Sequence, residues 1–189
     1  MVAHVCPWWS VPLTIDPPLR RWLHDPRKIV GPYVKPGMTV IDVGCGVGWF
    51  AIPMAAMVGE QGKVIAVDLQ RQMLDMLRRR AEKAGVADRI ETHPCEQRRL
   101  GVDAHADFAL LFAMLHEVPD PTRLLGEIHD LLNRGGKLLL AEPPLHVSRK
   151  ALAREVAAAE AVGFQIVEQP RLRWCRAVVL ARTEPGRDG

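Results

Sequence analysis

A short apolar strand that runs directly into alternating glycines is the strongest constraint in this sequence. Residues 40–48 read VIDVGCGVG, so glycine occupies positions 44, 46 and 48 immediately after the apolar run. Glycine has no Cβ and adopts positive φ readily, so a ligand can come close to such a backbone, with its charged groups near a helix N-terminus. The segment therefore predicts the ligand-binding first turn of an α/β domain.

Apolar runs alternate with amphipathic stretches along the rest of the chain. Strands are predicted over residues 39–43, 63–68, 90–93, 107–112, 137–142, 164–169 and 172–182. Helices are predicted over residues 49–58, 70–84, 121–132 and 148–162. Apolar positions 73, 74, 77 and 81 repeat at helical spacing, and Gly85 ends that helix. Pro53 lies inside the first helix and removes one backbone hydrogen bond, which predicts a kink or a distorted first turn.

The end of the chain predicts a change of strand direction. Only residues 170–171 separate the last two predicted strands, and so short a connection joins antiparallel strands alone. The predicted fold class is α/β, with a doubly wound, mostly parallel seven-stranded sheet that ends in an antiparallel C-terminal hairpin. The predicted organisation is a helical and aromatic cap segment over residues 1–37, a ligand-binding domain over 38–183 and a flexible tail over 184–189.

Composition limits the classes of partner. The net charge of +3 is small for 25 basic and 22 acidic side chains, so we expect neither nucleic acid nor a membrane as partner. The four cysteines are widely spaced and form no CxxC pair, which disfavours a zinc site and favours reduced thiols in a reducing compartment. The apolar runs are too short to span a bilayer and the first residues lack the pattern of a signal peptide, so we expect a soluble cytoplasmic protein. The sequence leaves the oligomeric state open.

One alternative function is an NAD(P)-binding oxidoreductase, which would share the first strand and turn. Its G-x-G-x-x-G fingerprint needs a third glycine for close contact between helix and strand. The sixth position counted from Gly44 is Trp49, which is too large for that contact. The spacing therefore disfavours a nicotinamide cofactor.

Residues 38–182 resemble the class I S-adenosylmethionine-dependent methyltransferases, with the motifs in the right order. Asp42 and the three glycines are similar to the first motif of that family, and Asp68 ends the second strand where the family keeps an acidic residue. Residues 138–142, which follow two glycines, are similar to its fifth strand. The run 107–118, which contains the sequence LHEV, is similar to the small-molecule branch that includes the menaquinone-biosynthesis type enzymes.

The resemblance implies a Rossmann-like methyltransferase fold and a methyl transfer to a small-molecule acceptor by in-line displacement. It implies S-adenosylmethionine as the cofactor and S-adenosylhomocysteine as the product, bound at the carboxyl ends of the first, second and fourth strands. A non-catalytic methyltransferase-like subunit is the second alternative. The cofactor-binding residues that the resemblance implies are Asp42, Gly44, Cys45, Gly46, Gly48, Asp68, Leu69, Gln70, Glu96, Gln97, Phe112 and Ala113.

Several of these residues have a physical role beside the resemblance. The carboxylate of Asp68 can accept hydrogen bonds from both ribose hydroxyls, or it can be a solvated acid at a strand end. Asp42 can hold the ammonium group of the ligand or cap a helix. Leu69 and Gln70 offer the adenine an apolar face and a polar edge, whereas Glu96 either accepts from the adenine amino group or belongs to an exposed loop.

His116 is the predicted catalytic residue, because it follows the fourth strand and so falls at the edge of the sheet where α/β domains bind ligands. It is either a general base or a wall of the pocket. The sequence predicts no metal site. The first 38 residues include Trp8, Trp9 and Trp22 and a short helix that starts at residues 16–17, and we expect this segment to cover the acceptor.

Overall fold

A computed structural model describes residues 24–183 of the chain, which divide into two compact units over residues 24–95 and 96–183. The predictions for Trp8, Trp9, Trp22 and the helix at residues 16–17 lie outside the described residues, as does the predicted tail over 184–189.

Three parallel strands in the order β3-β2-β1 form the sheet of the N-terminal unit. The strands are β1 (Thr39–Val43), β2 (Lys63–Asp68) and β3 (Ile90–Pro94), and the helices are α1 (Pro26–Val30), α2 (Ala51–Val58), α3 (Arg71–Ala84) and a 3-10 turn, Ala87–Arg89. Val43 of β1 lies opposite Val67 of β2, so both strands end at the same level. The glycine loop after β1 and the residues after β2 therefore start side by side.

Helix α3 shows how the apolar spacing sets the fold locally. Its buried side chains are the four that the helical period predicts, Met73, Leu74, Leu77 and Ala81. Gly85 ends the helix in the left-handed conformation with φ 69°, and its N–H bonds the carbonyl of Ala81. The predicted helix and its end are confirmed.

Helix α2 starts later than the sequence predicts. It begins at Ala51 and not at Trp49, so Pro53 is the third helical residue. The first four N–H groups of a helix have no partner within it, so proline at this position removes no intrahelical hydrogen bond. Pro53 therefore lies in the first turn and does not interrupt the helix.

The C-terminal unit carries the change of strand direction. Its strands are β4 (Ala106–Phe112), β5 (Leu132–Glu142), β6 (Phe164–Glu168), β7 (Arg171–Leu172) and β8 (Cys175–Arg182), and its helices are a 3-10 turn, Leu115–Glu117, with α4 (Pro121–Leu131) and α5 (Arg149–Ala161). β4 and β5 are parallel, β8 runs antiparallel between β5 and β6, and β7 adds a short ladder to β8. The predicted antiparallel end of the sheet is confirmed.

Two boundaries in this unit differ from the prediction. β5 starts at Leu132, which the sequence assigns to the preceding helix, and the pairing with β4 shifts between Leu132 and Lys137. Gly135 has φ 73° within this irregular stretch, so the glycines bend the strand and do not only end the helix. The predicted last strand is divided at Trp174, whose φ of 54° makes the turn between β7 and β8.

Within residues 24–183, no helix combines the length with the apolar composition that crossing a bilayer requires.

Gly48 is required by close packing as well as by its backbone conformation. Its φ is +86°, and a Cβ at this position would lie 2.1 Å from Cδ1 of Leu77 and 3.2 Å from Cδ1 of Ile52. Leu77 is fully buried, so it has little room to move away. Gly48 therefore permits the contact between the glycine loop and α3.

Substitution of Gly48 by Ala is expected to lower the free energy of unfolding by about 2–4 kcal/mol, because overpacking adds to left-handed strain. Gly85 is the matched control, since it is left-handed with φ 69° and ψ 31° and nothing lies within 4 Å of the added Cβ. Gly85→Ala is expected to cost only the strain, about 1–2 kcal/mol. Urea denaturation measures both losses, and equal losses would show that the Leu77 contact is unimportant.

Candidate functional site: two clusters at strand ends

Backbone hydrogen bonds hold the glycine loop against β2. The N–H groups of Gly44 and Cys45 both donate to the carbonyl of Val67, at 2.8 and 3.0 Å. Gly44 and Gly46 have φ values of 74° and 52°, a conformation that side chains rarely allow. The loop is thus fixed in a left-handed path at the end of β1.

The carboxylate of Asp68 fastens this loop from the other strand. Its Oδ2 accepts from the N–H of Gly46 at 2.8 Å, and its Oδ1 accepts from the N–H of Gln70 at 2.8 Å. The residue is 8% exposed. Burial raises the pKa of this carboxyl above its usual value, and the bonds from Gln70 and Gly46 act in the opposite direction. Asp68 is therefore not the freely solvated acid that the sequence allowed.

Cys45 lies among carboxylates. Burial, together with the charges of Asp42 and Asp68, raises the pKa of its thiol well above the usual value. Its Sγ donates to the carbonyl of Gly46 at 3.7 Å. A thiol in such surroundings stays neutral and is a poor nucleophile, so Cys45 contributes its backbone and its packing. Asp42, on β1, is also buried, at 3% exposure.

The residues of this cluster fit a nucleoside-containing cofactor. No atom lies within 4 Å of the position that a Cβ would take at Gly46, so the backbone faces open space there. Leu69 and Gln70 are partly exposed directly after Asp68. The two oxygens of Asp68 accept from the N–H groups of Gly46 and Gln70, the N–H of Leu69 contributes a further bond, and the carboxylate keeps acceptor capacity beyond these three. Bare backbone, an acceptor pair and an apolar side chain thus occur together at the end of β2.

Glu96 and Gln97 occupy a tight turn in the C-terminal unit. The N–H of Glu96 bonds the carbonyl of Arg99 at 3.0 Å, and the N–H of Arg99 returns to Glu96 at 3.2 Å. Both Glu96 and Gln97 are exposed. Glu96 therefore lies in an exposed loop, which is one of the two alternatives that the sequence allowed. Its contact with the adenine stays a prediction.

The backbone is strained where β4 ends. Ala113 follows Phe112 with φ 55°, an uncommon conformation for a residue with a Cβ. Its N–H donates to the carbonyl of Ala141 at 2.8 Å. Strain of this kind concentrates at ligand sites. The predicted contacts of Phe112 and Ala113 with the cofactor stay predictions.

A second cluster surrounds His116 in the C-terminal unit. Its Nδ1 lies 2.6 Å from Oε2 of Glu142, the last residue of β5, which is fully buried. Oε1 of the same carboxylate accepts from the N–H groups of Leu115 and His116, at 2.8 and 3.3 Å. One buried carboxylate therefore holds both the backbone and the ring of the predicted catalytic histidine.

Sequence reasoning missed the part that Glu142 plays. The available signal was an acidic residue at the end of the apolar run LLLA, where a buried charge needs a partner. The hydrogen bond to Glu142 raises the pKa of His116 above its usual value, against the effect of burial, and Glu117 and Glu155 add to the rise.

Two further ionisable side chains border the cluster. Burial and the charge of Glu142 raise the pKa of Glu155, on α5, to about 7, although His116 acts in the opposite direction. Oε2 of Glu155 is buried and bonds no residue that the structure describes. The rings of His116 and His146 meet edge to face with centroids 5.4 Å apart. Across residues 24–183, no three His, Cys, Asp or Glu side chains are grouped to hold a metal ion.

Comparison with known proteins relates this chain to methyltransferases. A family model described as a methyltransferase domain matches residues 40–136. The chain is 33% identical over 113 residues to an uncharacterized 37.1 kDa protein in a Streptomyces fradiae transposon, which covers 58% of this chain and 31% of that protein. It is 29% identical over 123 residues to demethylmenaquinone methyltransferase of Bacillus cereus strain AH187, covering 65% of this chain and 51% of the relative. The chain thus spans about a third to a half of these curated relatives.

Solved structures agree with the fold. A SAM-dependent methyltransferase from Aquifex aeolicus superposes with a TM-score of 0.85 at 25% identity, covering 95% of this chain and 100% of that one. The magnesium protoporphyrin IX methyltransferase of Synechocystis PCC 6803, solved with SAM bound, shares the fold at a TM-score of 0.67 and 18% identity, over 86% of this chain and 80% of that one. The predicted Rossmann-like methyltransferase fold is confirmed, and the nicotinamide alternative finds no support.

The raised pKa of Glu155 predicts how stability depends on pH. Between about 4.5 and about 7 the folded protein binds more protons at this carboxyl than the unfolded chain does, so stability falls as pH rises through this window. The raised pKa of His116 acts in the same direction. Glu155→Gln is expected to flatten the fall in melting temperature between pH 5 and pH 8.

Glu160→Gln is the matched control, because Glu160 is an exposed carboxylate on the same helix. Its melting temperatures are expected to fall in parallel with those of the unmodified protein. Differential scanning calorimetry over the pH series measures all three proteins. If Glu155→Gln also follows the parallel course, Glu155 does not titrate in this window.

Proposed function

Because the chain belongs to the methyltransferase domain family, we propose that it transfers the methyl group of S-adenosylmethionine to a small-molecule acceptor. The observation that carries this proposal is the glycine loop. Asp68 accepts a hydrogen bond from the N–H of Gly46, and open space adjoins the backbone of Gly46. When bound, S-adenosylmethionine supplies an electrophilic methyl group attached to sulfonium. The protein has to hold the reactants at attack distance and exclude water.

The N-terminal unit supplies most of the proposed cofactor contacts. Asp68 accepts from the ribose hydroxyls with the acceptor capacity that its backbone hydrogen bonds leave. Leu69 and Gln70 border the adenine, Asp42 faces the ammonium group, and the residues around Gly46 let the ligand approach the backbone. Glu96, Gln97, Phe112 and Ala113 are proposed as further contacts from the C-terminal unit. The cofactor-binding domain is proposed to cover residues 38–183.

A small acceptor is the proposed substrate class. Its support is the relation to demethylmenaquinone methyltransferases, at 29% identity, and the absence of a strong net charge that would favour nucleic acid or a membrane. A cytoplasmic location, expected from the short apolar runs and the composition of the first residues, belongs to the same proposal.

The first test is the affinity for S-adenosylhomocysteine, measured by calorimetry. Asp68→Ala is expected to weaken binding by about 1.5–3 kcal/mol, or roughly 10-fold to 150-fold, the scale of hydrogen bonds to a charged acceptor. Asp68→Asn keeps one acceptor oxygen, so its affinity for S-adenosylhomocysteine is expected to lie between those of Asp68→Ala and the unmodified protein. The release of S-adenosylhomocysteine from S-adenosylmethionine in the presence of acceptors then tests turnover by the same chain.

Asp75→Ala is the control for the loss of a carboxylate. Asp75 is an exposed residue of α3 that pairs with Arg78 at 2.7 Å, so its removal is expected to leave affinity unchanged. An Asp68→Ala protein that stays folded and binds S-adenosylhomocysteine as tightly as the Asp75→Ala control would remove Asp68 from the cofactor site.

A further inference from the structure

The two most exposed large apolar side chains within residues 24–183 both belong to the C-terminal unit. Leu145 is 84% exposed and Trp174 is 62% exposed. A single exposed apolar side chain is ordinary on a protein surface and needs no explanation. The position of these two, and the charges around them, distinguish them from ordinary surface residues.

The strand register brings Leu145 and Trp174 to the same end of the sheet. Glu142, the last residue of β5, lies opposite Arg176 of β8, and the two strands run antiparallel. Leu145 lies in the loop that follows β5, and Trp174 lies in the turn that precedes β8, so both loops leave the sheet at the same end. The guanidinium of Arg176 donates to the carbonyl of Val147 at 2.7 Å and so ties the two loops together.

The two loops form a basic surface. Residues 143–150 and 171–176, together the basic tip, contain no Asp or Glu, and their cationic side chains are Arg149, Lys150, Arg171, Arg173 and Arg176. All of these except Arg176 are exposed, whereas Glu142, directly before the first loop, is fully buried. The net charge of +3, from which no membrane partner is expected, therefore conceals a local concentration of cations.

Two features of the basic tip are unfavourable for the folded chain itself. Trp174 has φ 54° in the two-residue turn that the pair Leu172 and Cys175 closes, a conformation that favours glycine or asparagine. Arg149 and Lys150 begin α5, although cations are disfavoured at a helix N-terminus, where the backbone dipole is positive. Features that cost stability concentrate where a ligand uses them, and this helix end attracts an anion.

An anionic lipid bilayer has the chemistry that matches this surface. Tryptophan settles at the level of the headgroups, and an exposed leucine inserts into the boundary of the acyl chains. Arginine and lysine bind lipid phosphates through charge and hydrogen bonds. A single-stranded nucleic acid would use the cations and stack on Trp174, but it offers no apolar environment to Leu145.

We propose that the basic tip docks this protein on the surface of an anionic lipid bilayer. Leu145 and Trp174 enter the interface, and lipid phosphates bind the four exposed cations, Arg149, Lys150, Arg171 and Arg173. Two apolar side chains and four cations make a reversible contact and not a permanent anchor. The inference goes beyond the proposed methyl transfer and does not depend on it, because docking requires neither cofactor nor acceptor.

Flotation of the full chain with lipid vesicles measures the docking. The unmodified protein is expected to float with vesicles of phosphatidylcholine mixed with phosphatidylglycerol but not with phosphatidylcholine alone, and added salt is expected to release it. Trp174→Asn and Leu145→Ser are each expected to weaken binding roughly tenfold or more, because apolar area is no longer inserted. Asparagine tolerates a positive φ, so Trp174→Asn keeps the turn.

The cations are tested by the double variant Arg149→Gln, Lys150→Gln. Its binding to the anionic vesicles is expected to weaken about fivefold for each charge removed. The substitution removes cations from a helix N-terminus, so it does not destabilise α5. A weaker dependence of binding on salt is expected in the same variant, because fewer ions are exchanged on docking.

Matched controls remove the same chemistry elsewhere in the C-terminal unit. Ile166→Ser removes an exposed apolar side chain opposite Leu180, which lies five residues along β8 from Cys175. The double variant Arg134→Gln, Lys137→Gln removes two exposed cations from the first half of β5, away from the basic tip. Both controls are expected to bind the vesicles within about twofold of the unmodified protein, as for surface changes.

Three results would overturn the inference. The first is the absence of binding to the anionic vesicles. The second is vesicle binding that Trp174→Asn and Leu145→Ser leave unchanged, or that the controls weaken equally, because another surface would then dock. The third is binding of single-stranded RNA that the same variants weaken, without binding of vesicles, which would assign the basic tip to nucleic acid. The affinity for S-adenosylhomocysteine tests the proposed function separately from all three.

Discussion

The hydrogen bond from Gly46 to the carboxylate of Asp68 is the interaction on which the N-terminal cluster depends. It joins the loop after β1 to the end of β2 at 2.8 Å, and the second oxygen of Asp68 accepts from Gln70, the second residue after its own strand. The loop can stay glycine-rich and open because this carboxylate and the carbonyl of Val67 replace the contacts that side chains would make. The groups that shape the loop are thus the groups proposed to meet the cofactor.

Both units contain buried carboxylates at the ends of their strands. Among the residues that the structure describes, the buried charged side chains are Asp42, Asp68 and Glu142, and each lies at or next to the last residue of its strand. An unpaired buried carboxylate would be strongly destabilising, so such residues concentrate where a ligand or a base needs them. Asp68 braces a loop and Glu142 braces a histidine, which is the same physical device used twice.

Local signals predicted much of this arrangement. The alternating glycines identified the loop between β1 and α2, and the helical period of Met73, Leu74 and Leu77 identified α3, because both depend on neighbours in sequence. The pairing of His116 with Glu142 joins residues 26 positions apart, and no local pattern specifies which buried acid meets which histidine. The start of β5 was missed for a similar reason, since strand pairing and not helix propensity decides the state of Leu132.

Backbone amide chemical shifts test most directly whether the glycine loop and the residues after Asp68 bind the cofactor. Titration with S-adenosylhomocysteine is predicted to produce the largest shifts at Gly44, Gly46 and Gly48 and at Leu69 and Gln70, with the Gly46 amide still bonded to Asp68. Saturable binding that leaves these amides unshifted while others move would contradict the account, because the cofactor would then occupy another part of the chain.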